Sequence, residues 1–81
     1  FWAAWCGPCK ALGPIFEETA GEYGDKAQFA KINVDEEPAL SQQFGVMSIP
    51  TIVYFKDGKP ASQSVGLVDK SEIKSHLDQL M

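Results

Sequence analysis

Apolar positions along the 81-residue chain fall into short blocks whose spacing changes from one block to the next. Phe1 to Trp5 is an aromatic and apolar run that reads as the end of a buried strand, cut off by Cys6-Gly7-Pro8. Leu12, Ile15, Phe16, Thr19, Ala20 and Tyr23 then share one helical face, with Glu17, Glu18 and Glu22 off it and Gly24 placed to end the helix. Pro14 within that pattern lacks a backbone donor and predicts a bend. From Gln28 to Val34 the spacing shortens to two: Ala30, Ile32 and Val34 on one side, Phe29, Lys31 and Asn33 on the other, the alternation of a strand ended by Asp35.

The second half follows the same grammar. Glu36 to Phe44 has Pro38 in its first turn, Leu40 and Phe44 four residues apart and Gly45 behind them, which predicts a short helix. Thr51 to Phe55 is apolar on both faces, as a central strand between two helical layers would be. Asp57-Gly58 supplies hairpin turn chemistry, Ala61 to Val65 is the returning edge strand, and Ile73, Leu77 and Leu80 form the apolar stripe of a last helix. Strand, helix, strand, helix, strand, strand, helix implies one α/β sandwich domain over residues 1–81, with crossovers first and a hairpin last.

Composition narrows the functional classes. The chain is 44% apolar and 22% charged, and no apolar run approaches the ~18 residues of a membrane span, so no membrane partner is expected. Seven lysines, no arginine and eleven carboxylates give a net charge of -4, which repels phosphate backbones and argues against nucleic acid. A protein or a small molecule is the expected partner.

The chemistry is concentrated in Cys6 and Cys9. A disulfide across so short a loop restrains little of the unfolded chain, which leaves three readings: a redox pair, half of a metal site, or two inert buried thiols. A metal centre needs four ligands and the chain offers only Cys6, Cys9 and His76 as soft ones; His76 itself reads as a surface or boundary residue of the last helix. The redox reading has a mechanism. Cys6 stands where the first helix begins, so unpaired amides and the positive dipole end favour its thiolate, and Cys9, three residues on, lies on the same face. Lowering a thiol pKa by about 1.5 raises the thiolate fraction at pH 7 roughly 16-fold but lowers nucleophilicity about fivefold, a net gain of only about threefold. The larger advantage of the pair is an internal second thiol that attacks a mixed disulfide at high effective concentration.

The blocks "FWAAWCGPCK", "KINVDEEPALSQQFGVMSIPT", "FKDGKP" and "VGL" resemble, in order, those of bacterial-type thioredoxins. The resemblance implies a three-layer α/β/α sandwich with a mixed sheet, and a thiol-disulfide oxidoreductase that reduces protein disulfides. Cys6 would be the exposed nucleophile and Cys9 the buried resolver, supported by Trp5, Gly7, Pro8, Lys31 and a cis-proline at Pro50. Trp5, Ile49, Val65, Gly66 and Leu67 would line the groove for an extended substrate segment. The Gly-Pro between the cysteines resembles reducing rather than disulfide-forming members. Expected partners are disulfide-containing proteins and a thioredoxin reductase; the expected compartment is the cytoplasm, and no metal or organic cofactor is required beyond the Cys6-Cys9 disulfide.

Family members carry a strand, a helix and half of a second strand before the residues that match Phe1-Trp2, so the resemblance is to an N-terminally truncated domain. Family members place an aspartate just before the residue matching Phe1, beside the lysine that matches Lys31; without it, Lys31 is expected to lose that partner and Cys9 to resolve more slowly than in a complete member. The exposed edge at Gln28 to Val34 then predicts a homodimer or domain swap. The alternatives are a docking module without turnover, a fragment with impaired activity, and a metal-bridged dimer.

Overall fold

The computed structural model describes residues 1–81. Helix α1 spans Gly7–Tyr23 and is followed by a 3-10 turn at Gly24–Lys26; α2 is Pro38–Gln43, β1 Thr51–Lys56, β2 Lys59–Val65 and α3 Lys70–Leu80. α1 begins where the sequence predicts. Cys6 is its N-cap, Pro8 sits in the first turn where no backbone donor is required, and Gly24 closes it with φ 54° and an N–H bonded to the Ala20 carbonyl. The helix runs on through Pro14, whose missing N–H leaves the Lys10 carbonyl on an exposed face. Leu12, Thr19 and Tyr23 are its buried side, one of the two faces the periodicity separates.

β1 and β2 form an antiparallel hairpin in which Lys56 pairs with Lys59 across the two-residue turn Asp57-Gly58. Both turn residues have positive φ, 55° and 79°, the backbone that a two-residue hairpin turn needs and that Asp-Gly accommodates. α3 is capped by the Asp69 carboxylate, which accepts from the Glu72 N–H at 2.9 Å. Its Ile73, 1% exposed, meets Leu12 of α1 and Tyr54 of β1, with Ile15, Ile52, Val68, Leu77 and Leu80 packed around them. Only 11 of 81 residues are buried, so this cluster carries much of the fold's cohesion.

Two expected strands are corrected. Phe1 to Trp5 contributes a single parallel bridge, Trp2 to Asn33, and Gln28 to Val34 forms no ladder beyond it. Alternation makes a strand only where a neighbouring backbone accepts its hydrogen bonds, and residues 28–31 have no such neighbour. The predicted sides shift accordingly: Ala30 is exposed, while Phe29 turns against α1 with its ring 5.1 Å from that of Phe16 and 6.2 Å from that of Tyr23. The mixed sense of the sheet survives in short form. Trp2 donates to the Ile32 carbonyl and accepts from the Val34 N–H, both at 2.9 Å, while Phe1 exchanges two bonds with Thr51 at 2.8 and 3.3 Å. The covering of β1 on both faces is also incomplete. α3 covers one face, whereas Phe55 meets the ring of Phe44, the C-cap of the six-residue α2, at 5.3 Å and stays 47% exposed.

Between residues 26–32 and β1 opens a cleft of about 1000 Å³. Leu12 and Phe16 of α1 and Ile73 and Leu77 of α3 form its apolar walls, and Lys10, Lys26, Lys31 and Lys56 stand among its lining residues.

Candidate functional site

The site is assembled from three loops at one end of the molecule. Cys6 enters α1 with extended backbone, φ -91° and ψ 112°, and its Sγ accepts from the Cys9 N–H at 3.3 Å, so the sulfur itself caps the helix. Cys6 and Cys9 are joined in a disulfide with their Cα atoms 5.3 Å apart, a separation that one helical turn provides. The sulfurs face the positive end of a 17-residue helix whose first turn holds no acidic residue, an arrangement that stabilises a thiolate once the bond is reduced.

The expectation that Cys6 is exposed and Cys9 buried is corrected: both are 5% exposed. Bonded to each other, they pack with Ala3 into a second small core on which Trp2, Val34 and Ile49 close. Attack on this disulfide therefore needs an incoming thiol to reach past its neighbours, and reduction is the step that frees the Cys6 sulfur.

The second loop brings Ile49 and Pro50. Their peptide bond is cis, Pro50 is buried, and the Ile49 carbonyl oxygen lies 3.9 Å from Cys6 Sγ. The third loop follows β2: the Gly66 N–H donates to the Pro50 carbonyl at 2.8 Å, with Gly66 at φ 90°, where a side chain would be strained. This bond ties the loop of Val65, Gly66 and Leu67 to that of Ile49 and Pro50. Val65 and Leu67 remain 55% and 53% exposed and Trp5 69% exposed, so the loop tied to Pro50 and the residue before Cys6 both keep apolar side chains in water. Gly7 and Pro8, between the cysteines, are exposed as well.

The family model described as Thioredoxin matches residues 1–79, nearly the whole chain. The chain belongs to the thioredoxin family. The chain is 47% identical over 81 residues to a thioredoxin of Alicyclobacillus acidocaldarius subsp. acidocaldarius, covering 100% of this chain and 77% of that protein. It is 53% identical over 79 residues to "Thioredoxin 2" of Chlorobaculum tepidum, covering 98% of this chain and 72% of the relative. The crystal structure of a Malassezia sympodialis thioredoxin superposes with a TM-score of 0.89 at 42% identity, over 99% of this chain and 71% of that one. The chain has the thioredoxin-like α/β fold and is a thiol-disulfide oxidoreductase.

Lys31 does not lack a partner. Its Nζ is 2.6 Å from Glu17 Oε1 in an exposed ion pair across the mouth of the cleft, because the ladder-free segment lays Lys31 against the polar side of α1. His76 is the boundary residue expected of the last helix: half-buried, its ring stacks on Tyr54 with centroids 4.5 Å apart, and Nδ1 lies 3.0 Å from Ser62 Oγ. Asp35, read from the sequence only as the end of a strand, accepts a hydrogen bond from Trp5 Nε1 at 2.8 Å. Thirty residues separate the two, so no local pattern pairs them, and the contact holds the indole beside the disulfide.

Proposed function

We propose that this thioredoxin-family chain works as a protein-disulfide reductase through Cys6 and Cys9. The observation that carries the reading is the disulfide held at the N-cap of α1 against the Ile49-Pro50 loop. In the reduced chain the Cys6 thiolate attacks one sulfur of a substrate disulfide, forming a mixed disulfide and expelling the other substrate sulfur as a thiolate. Cys9, as thiolate, then attacks Cys6 Sγ; the Cys6-Cys9 bond closes and the second substrate sulfur leaves. Two electrons pass to the substrate, and a thioredoxin reductase returns them. The two sulfurs suffice for this cycle without a metal or organic cofactor.

Trp5, Ile49, Val65, Gly66 and Leu67 form the surface on which an extended segment of the substrate protein lies. Gly7 and Pro8 set the turn that holds both sulfurs on one helical face, Pro50 braces them from the opposite loop, and Lys31 supports the site only from its rim. The proposed compartment is the cytoplasm, where thiols are kept reduced; no helix of the structure is long and apolar enough to cross a membrane.

Cys9→Ser tests the cycle: the variant should accumulate mixed disulfides through Cys6 with substrate proteins, and Cys6→Ser should form none. Normal binding of partners with no trapped disulfide would instead make the chain a docking module. The unpaired edge of residues 28–31 beside the open cleft supports a further proposal, that two copies pair or exchange segments there. Light scattering over a concentration series should then show dimer, and monomer throughout would overturn it.

A further inference from the structure

Met47 is 98% exposed, more than any other large apolar side chain of the molecule. A side chain that removes so little surface from water contributes almost nothing to the fold. Its backbone, in contrast, is held on both sides: the Val46 N–H donates to the Ser41 carbonyl at 2.8 Å, and the Thr51 hydroxyl donates to the Ser48 carbonyl at 2.6 Å. Two residues beyond Met47, the Ile49 carbonyl oxygen lies 3.9 Å from Cys6 Sγ. A flexible, polarisable thioether thus projects into water from an anchored loop next to the reacting sulfur, an arrangement suited to packing against apolar groups of varied shape.

We propose that Met47 is a specificity-determining residue: it favours protein substrates that carry an aromatic or branched aliphatic side chain beside the attacked cysteine over those that carry a polar one. The proposal rests on the reductase reading above and extends it to a substrate class. The same exposure opens the thioether to peroxides. Hydrogen peroxide transfers one oxygen atom to the methionine sulfur and leaves as water, and the polar sulfoxide that forms loses the preference.

The test uses two peptide disulfides that differ only in Leu or Ser next to the attacked cysteine, and reads the rate constant for each with the pre-reduced chain. Met47→Gln should lower the Leu-to-Ser rate ratio about three- to tenfold, the size expected when part of a methionine side chain is no longer taken out of water. Met47→Leu should restore the ratio. In a Met81→Leu background, oxidising the disulfide form with hydrogen peroxide and then reducing it with dithiothreitol, which leaves the sulfoxide, should reproduce the Met47→Gln loss. An unchanged ratio, or an equal loss on both peptides, overturns the role of Met47 while leaving the reductase reading intact. No reaction of the unmodified chain with either peptide overturns the reductase reading and this proposal with it.

Discussion

The two small cores of this molecule are built differently. Around Leu12, Tyr54 and Ile73, two helices and a strand bring branched and aromatic side chains together, and the helices are strapped outside by charge: Lys70 reaches Glu18 and Glu22 at 2.9 and 2.5 Å, and Lys74 reaches Glu22 at 3.2 Å. Around Ala3, Cys6 and Cys9 the buried side chains are small, and much of the holding is done by backbone, through the sulfur cap of α1, the Ile49 carbonyl and the Gly66–Pro50 bond. The first core is where burial stabilises the fold. The second holds the bond that opens and closes.

The strongest way to break this division is Ile73→Ala. Deleting a side chain that is 1% exposed in a core this small should cost about 2–5 kcal/mol, read as a lower urea midpoint. Under conditions where the variant stays folded, its disulfide-reduction rate should stay close to that of the parent chain. A rate that falls with the midpoint would mean that the two cores are one unit.

Asp35→Ala should act on the other side. It removes one exposed hydrogen bond from the Trp5 indole, worth about 0.5–1.5 kcal/mol, so kcat/KM should drop by no more than about tenfold. The urea midpoint should hardly move, and a large shift would make the indole contact a structural tie.

Titration sharpens the comparison because the shifted side chains lie on the helical side. The Asp78 carboxylate accepting from the Tyr23 hydroxyl, with burial second, pushes Tyr23 up to about 12, and bonds to Glu18 and Glu22 raise Lys70. Both protonated forms are favoured by folding, so their stabilisation is complete below the ordinary tyrosine and lysine range and is lost as pH rises through the folded values. The Lys70 and Lys74 bonds hold Glu22 low, and the Glu72 N–H and Ser71 hydroxyl hold Asp69 low. Their contribution is present above the ordinary carboxylate range and is lost as pH falls through the lowered values. The melting temperature should therefore decline at both extremes, and Tyr23→Phe should flatten the alkaline limb above about pH 10. An unaltered alkaline limb would remove Tyr23 from the clamp.

The smallest effect is expected from Lys31→Gln. Its ion pair with Glu17 is exposed, so stability should change by less than about 1 kcal/mol, and the lifetime of the mixed disulfide trapped in stopped reactions should stay the same. A longer lifetime would give Lys31 a direct part in resolution by Cys9.

Periodicity, caps and turns made α1, α2, α3 and the Asp57-Gly58 hairpin legible in advance, because each is decided by residues within a few positions of one another. The cysteine pair was legible for the same reason: a spacing of three places both sulfurs on one turn. Gln28 to Val34 was misread because alternation describes only side chains, whereas a strand also requires a second backbone beside it. The Trp5–Asp35 bond, the equal burial of the two cysteines and the Glu17 partner of Lys31 left no mark in any local pattern.

The chain's own order of residues determined where helices start, where the hairpin turns and that two thiols share a helix end, since these follow from local sterics, hydrogen bonding and the helix dipole. Tertiary structure alone decided which carbonyl faces Cys6, which carboxylate meets Trp5 and Lys31, and which apolar groups remain in water. Those contacts join residues 14 to 43 positions apart, and only the packed chain sets their distances.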